Sequence, residues 1–208
     1  MVPNAVESAV ADRSVTKEEF NRRFGFSPAD VWIGTLGRMD PGKHFDLLLK
    51  IITLLQKDTK DFHFILIGDG PERSHLESLV NELGIRQNII FTGEVPNAKN
   101  LVAALDIFCF TSTNEGLPNA VLEAAMAGVS VVAWRLPFIE EILKDGEMAL
   151  LVDVENLVAF KDAILSLIHS PALRSTLGNA GREHVIKNFS LDRCMQEMTH
   201  VYDDLLSA

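Results

Sequence analysis

Phe62-His-Phe-Ile-Leu-Ile-Gly-Asp-Gly-Pro71 is the stretch that decides the fold. Apart from His63, residues 62–67 are apolar on both alternations, the pattern of a strand buried on both faces. Gly68-Asp69-Gly70-Pro71 closes it with a turn. Beyond the turn, Leu76, Leu79, Val80 and Leu83 recur at helical spacing. Pro71 suits that helix's first turn and Gly84 its end. The same unit repeats outward in both directions. Toward the N-terminus, Val31–Gly37 reads as a buried strand, followed by a helix on Phe45, Leu48, Leu49, Ile52 and Leu55. Toward the C-terminus come a strand at Asn88–Thr92, a short helix at Leu101–Leu105, a strand at Asp106–Thr111 and a helix from Pro118 to Ala127 stopped by Gly128. Strands at Ser130–Trp134 and Ala149–Val152 follow, and from Asn156 onward the pattern is helical, with breaks at Pro171 and at Gly178 to Gly181. This rhythm predicts an α/β protein: a doubly wound parallel sheet, covered on both faces, with a helical C-terminal tail.

The 208 residues fit one domain spanning the whole chain, and 47% hydrophobic with 23% charged residues is an ordinary globular composition. A net charge of −10 opposes non-specific binding to nucleic acid, although a small phosphate site needs only two or three local cations. Cys109 and Cys194 read as separate thiols in a reducing compartment. The first ten residues, MVPNAVESAV, lack the basic and apolar regions of a signal peptide, and no apolar run is long enough to span a membrane. The expected location is therefore cytoplasmic.

Doubly wound sheets bind ligands beyond the carboxyl ends of their strands, and three features there stand out. In Gly37-Arg38-Met39-Asp40-Pro41-Gly42-Lys43, two cations straddle a Pro-Gly turn. Arg38 offers a planar fork and Lys43 a point charge, a pairing suited to a diphosphate, though two solvated surface charges would read the same. In Glu115-Gly116-Leu117-Pro118-Asn119, Gly116 allows close backbone approach, and the free N–H groups of Leu117 and Asn119 can hold an anion at the positive end of a helix. Glu115 lies at the edge of that site, where a carboxylate can also simply favour the helix terminus. Glu123 lies about two helical turns further in, on a helix with almost no polar face. A carboxylate there needs hydroxyl or N–H partners, such as a ribose diol or a nearby helix terminus.

Glu115 and Glu123 form E-x7-E within EGLPNAVLEAAMAGVSVVA, which resembles the signature of retaining glycosyltransferase family 4 (group 1), enzymes with two Rossmann-like domains in the GT-B fold. GRMDPGK resembles that family's diphosphate loop, LIGDGP its nucleotide-side turn, and FTGEVP the loop lying against the base. DIFCFTSTNEG resembles the strand entering the acidic motif, and VPNAVE the hinge that opens the family's C-terminal domain. The resemblance covers essentially the whole chain. It implies a donor-binding domain that holds a nucleotide-diphosphate sugar for transfer with retention, with hinge segment 1–8 and C-terminal helices 156–206. It implies diphosphate contacts from Arg38, Lys43, Gly116, Leu117 and Asn119, and ribose contact from Glu123. Gly93, Glu94 and Val95 are implied as the base loop, and Glu115 as the catalytic-site carboxylate that holds hydroxyls of the sugar. No cofactor or metal is expected. The acceptor would be held by an N-terminal domain outside this chain, which would also carry any contact with the inner membrane face. Three sites depart from the family pattern: His44 stands where a glycine commonly follows the lysine, Ala5 replaces the hinge glycine, and Pro137-Phe138 replace a Gly-Gly pair before Glu141.

A sugar-nucleotide epimerase or a non-catalytic nucleotide-sugar-binding module would share this fold and these loops. Other chemistries find less support. Gly34-x-x-Gly37 is not a dinucleotide fingerprint, G-x-x-x-x-G-K-[ST] does not occur, no Asp-x-Asp follows a strand, and the six histidines lack ligand spacing.

Overall fold

A computed structural model describes residues 17, 18, 21, 22 and 30–206, the side chains at several positions of the last helix excepted. Hinge segment 1–8, with Ala5, lies outside the described residues. Six strands form one sheet: β1 (Val31–Leu36), β2 (Phe62–Ile67), β3 (Ile89–Phe91), β4 (Ile107–Phe110), β5 (Ser130–Trp134) and β6 (Ala149–Val152). Every pairing is parallel and the order is β3-β2-β1-β4-β5-β6. Among the described residues from Val31 onward, eight helices fill the connections and the tail: α1 (Phe45–Leu55), α2 (Arg73–Glu82), α3 (Ala98–Ala104), α4 (Asn119–Met126), α5 (Pro137–Glu140), α6 (Leu157–His169), α7 (Pro171–Phe189) and α8 (Leu191–Leu206).

The strands are apolar throughout because both faces are covered. On one face, Leu101, Val102, Val121, Leu122 and Val185 from α3, α4 and α7 pack on Phe108, Val131 and Ala133. On the other, Leu48, Ile52, Leu76, Val80, Phe160 and Ile164 from α1, α2 and α6 pack on Ile33, Phe64, Cys109 and Val132. Cys109 is fully buried, which pushes its thiol pKa far up and leaves it inert. The expected doubly wound architecture and helical tail are both present.

One expectation fails. Gly178 to Gly181 does not break the tail; α7 runs unbroken through both glycines. The break at Pro171 is real, with the Ser170 hydroxyl accepting the Leu173 amide at 3.2 Å to start the new helix. Gly178 is there for contact rather than for flexibility. A Cβ at this position would lie 2.2 Å from the Gly128 carbonyl oxygen, so only glycine lets α7 close on the turn that follows α4.

Among the described residues, no helix is long and apolar enough to cross a membrane.

Candidate functional site at the strand-order reversal

The strand order reverses between β1 and β4, and the loops leaving these two strands face each other across the resulting crevice. Backbone and hydroxyl bonds lace them together. Thr111 Oγ1 donates to the Lys43 carbonyl at 2.8 Å, Ser112 Oγ to the Gly42 carbonyl at 3.4 Å, and the Thr113 N–H to that same carbonyl at 3.3 Å. His44 Nε2 lies 2.9 Å from Thr113 Oγ1, and its ring centroid is 5.4 Å from that of Trp134. Sequence reasoning assigned no role to this Thr-Ser-Thr run; hydroxyls directly after an apolar strand were the available signal. Its effect is to bring Lys43 Nζ and Glu115 Oε1 together as an ion pair with side chains only 26% and 19% exposed. The two loops are therefore one assembly rather than separate carriers of charge.

A second set of ties shapes a cleft beside this pair. The Gly37 N–H donates to the Ile67 carbonyl, Met39 N–H to the Asp69 carbonyl at 2.9 Å, and Gly68 N–H to the Gly93 carbonyl at 3.1 Å. A Cβ on Gly68 would sit 2.2 Å from the Gly37 carbonyl oxygen, so glycine is required where these turns cross. Asp69 accepts the Gly70 amide at 2.8 Å and an Arg73 N–H at 2.7 Å, and these bonds hold its carboxyl below the usual range. The Arg73 guanidinium also stacks 5.8 Å from the Phe91 ring, bracing the turn at Gly93. The resulting cleft, of about 450 Å³, is lined by Leu36, Gly37, Arg38, Asp69, Glu94 and Val95 among others. Arg38 and the Glu94-Val95 loop thus line the same cleft. Arg38 is 73% exposed, and its side chain lies 3.4 Å from Asp40.

Pro118 precedes the first residue of α4 in an extended conformation, so α4 begins at Asn119. The amides of Leu117 and Asn119 have no acceptor among the described residues, leaving the positive end of α4 uncapped four residues after Glu115. Glu123 falls one helical turn into α4 rather than two, because the helix opens at Asn119, only four residues before it. Its carboxylate is half-buried and has no hydrogen bond among the described residues. Burial pushes its pKa up, and Lys99, next to the cleft residue Ala98, pulls weakly the other way. Glu123 is not among the residues lining the cleft. Among the described residues there is no group of three His, Cys, Asp or Glu side chains placed to hold a metal.

Residues 16–184 match the family model described as glycosyl transferases group 1. The chain belongs to the group 1 glycosyl transferases. It is 34% identical over 180 residues to the lipopolysaccharide core biosynthesis glycosyltransferase LpsD of Rhizobium meliloti (strain 1021), covering 86% of this chain and 50% of LpsD. It is 30% identical over 183 residues to LpsE of the same organism, covering 88% of this chain and 52% of LpsE. The chain therefore spans about half the length of these curated relatives. Among solved structures, Anabaena Alr3699/HepE in complex with UDP superposes with a TM-score of 0.89 at 19% identity, over 98% of this chain and 57% of that one. Sucrose-phosphate synthase from Thermosynechococcus elongatus gives 0.86 at 23% identity, over 99% and 52%. The doubly wound sheet accordingly has the Rossmann-like fold found in GT-B structures.

In this group 1 domain two of the three departures, at His44 and at Pro137-Phe138, lie among the described residues and have a local structural setting. His44 adopts φ 53°, a left-handed conformation that glycine reaches without strain, and its side-chain bond to Thr113 and ring contact with Trp134 accompany that conformation. Pro137 opens α5 at a helix's first position, and Phe138 is half-buried against the core, so a short helix stands where a glycine pair would give a flexible turn.

Proposed function

We propose that this chain is the donor-binding domain of a retaining, family 4 glycosyltransferase and holds a nucleotide-diphosphate sugar across the crevice between β1 and β4. The observation that carries the reading is the convergence at that crevice of the Lys43–Glu115 pair and the uncapped amino end of α4. A diphosphate would meet Lys43, Arg38 and the amides of Leu117 and Asn119, with Gly116 permitting close approach. These groups supply positive charge without a divalent cation. The base would enter the cleft beside Gly93, Glu94 and Val95. Glu123, half-buried and without a hydrogen-bond partner among the described residues, has the environment of a carboxylate that accepts from a ribose diol. Glu115 would hold hydroxyls of the sugar and so orient its anomeric carbon. The names of the relatives and the UDP bound to HepE support the same class of ligand.

We propose further that an acceptor-binding domain outside this chain forms the other wall, which the half-length match to the relatives supports. Retaining transfer needs the acceptor hydroxyl fixed against the anomeric carbon with water excluded, and one wall does neither. A cytoplasmic location fits Cys109, a fully buried thiol outside any disulfide.

The test is titration calorimetry with UDP and GDP. Replacing Arg38 and Lys43 together with alanine is expected to weaken binding at least about tenfold, since charge-assisted contacts contribute about 1.5–3 kcal/mol each and Arg38 is largely exposed. A metal chelator is expected to leave the affinity unchanged. Unchanged affinity in the double variant removes the diphosphate assignment, and loss of binding with the chelator removes the metal-free one.

A further inference from the structure

The Lys43–Glu115 pair places the group assigned to the diphosphate in contact with the group assigned to the sugar. Resting on the donor-binding reading above, we propose that Glu115 makes the site discriminate against bare nucleoside diphosphate, because Lys43 can be taken by phosphate cheaply only when sugar hydroxyls replace it on Glu115.

Lys43 Nζ and Glu115 each have the other as their one side-chain partner among the described residues. Both are mostly covered, and the ties from Thr111, Ser112 and Thr113 to Gly42 and Lys43 fix their backbones against each other. A diphosphate that recruits Lys43 therefore recruits it from Glu115. With a bare nucleotide, the carboxylate is then left four-fifths covered, without its cation, and close to two phosphate charges. An unpaired, partly desolvated carboxylate is costly, and the added negative charge makes it more so. With a nucleotide sugar, hydroxyl donors take the position the ammonium gave up, and the exchange is nearly balanced. The attraction of Lys43 for phosphate is the same in both cases; what differs is the fate of Glu115. Specificity thus comes from a penalty placed on the wrong ligand. The wrong ligand here is the species left once the sugar has gone, so the same pair favours its departure: Glu115 reclaims Lys43 when no hydroxyl occupies it.

A carboxylate whose only role was sugar contact would leave the affinity for bare nucleotide untouched when removed. The proposal requires that affinity to rise. The experiment is titration calorimetry on the 208-residue chain with UDP, UDP-glucose, GDP and GDP-mannose. Glu115→Gln keeps the shape of the side chain, replaces one acceptor oxygen with an amide donor, and releases Lys43. It is expected to tighten the bare diphosphate roughly threefold to fivefold, the range of a partly exposed ion pair, and to weaken the sugar conjugate. In a Lys43→Ala background the same change is expected to tighten nothing. Glu115→Ala provides a second variant, and the thermal midpoint of each shows that it is folded. If Glu115→Gln binds the bare diphosphate no better than the parent while Lys43→Ala binds it worse, the donor-binding reading stands and this inference is overturned. If the parent binds none of the four probes, the donor-binding reading itself falls and takes this one with it.

Discussion

Two glycines three residues apart on α7 should respond to alanine with opposite signs. On helix propensity alone, each Gly→Ala change in a helix interior gains about 1 kcal/mol. At Gly178 a Cβ would lie 2.2 Å from the Gly128 carbonyl oxygen and 2.9 Å from its carbon. An ordinary carbon–oxygen approach is about 3.3 Å, so α7 must retreat by roughly 1 Å. Both atoms met are backbone and no side chain can swing aside, which puts the overpacking cost near the top of its usual range, about 3 kcal/mol. The clash outweighs the propensity gain by about 2 kcal/mol, equivalent to a fall in thermal midpoint of roughly 4–8 °C for a domain of this size. At Gly181 a Cβ would meet the Met148 carbonyl oxygen at 3.4 Å, Leu143 Cδ2 at 3.6 Å and the Ala125 methyl at 3.8 Å, all ordinary contacts. Gly181→Ala should therefore keep most of the propensity gain and stabilise by about 0.5–1 kcal/mol. Urea unfolding followed by far-ultraviolet circular dichroism measures both. A Gly178→Ala variant as stable as the parent, or both variants moving in the same direction, would refute the close-packing account of this helix.

Glu123→Gln should weaken a bare nucleoside diphosphate and its sugar conjugate equally in calorimetry, because ribose is common to both; a loss confined to the conjugate assigns Glu123 to the sugar. The same variant should be more stable than the parent at neutral pH. Burial raises the Glu123 pKa, so between the ordinary carboxylate value and the raised one the fold holds a proton that the unfolded chain releases, and stability falls as pH rises through that window. The stabilising effect of Glu123→Gln should therefore be full above the raised pKa and fade as pH drops below the ordinary one, which melting curves at several pH values will show. The chain alone, incubated with nucleotide sugars and candidate acceptors, should yield no glycosylated product by mass spectrometry; product at roughly one turnover per second would show that a second wall is not needed.

The sheet was legible because burial on both faces leaves a mark in the sequence. Apolar runs such as Phe62–Ile67 and Ser130–Trp134, too short for helices and with a glycine turn beside each, fit little but the inner strands of a covered sheet. The loops bearing Arg38, Lys43 and Glu115 were legible for a related reason, since each follows such a strand and sits where doubly wound sheets open. The continuity of α7 was not legible. Glycine is a helix breaker by propensity and a contact residue by shape, and the Gly128 turn that decides between the two lies 50 residues earlier in the chain. The Lys43–Glu115 pair escaped for the same reason. Its 72-residue separation carries no periodicity, and the hydroxyl ties at Thr111 and Ser112 that enforce it are invisible until β1 and β4 are known to be neighbours.

That adjacency also gives the two acidic residues of E-x7-E different environments. An eight-residue separation on one helix would put two carboxylates about two turns, roughly 12 Å, apart along the same helix. Here α4 begins between them, so Glu115 belongs to the loop that crosses the crevice and Glu123 to the helix. Glu115 faces a cation supplied by β1's loop and is held in place by the backbone of two strands' connections. Glu123 is half-buried, with burial raising its pKa and the charge of Lys99 on α3 opposing that shift. A paired carboxylate can give up its partner to a ligand, and a buried unpaired one can gain partners from a ligand. The first arrangement suits selection between ligands and the second suits binding a part that all of them share. The reversal of strand order, which puts β1 and β4 side by side, is what separates the two roles.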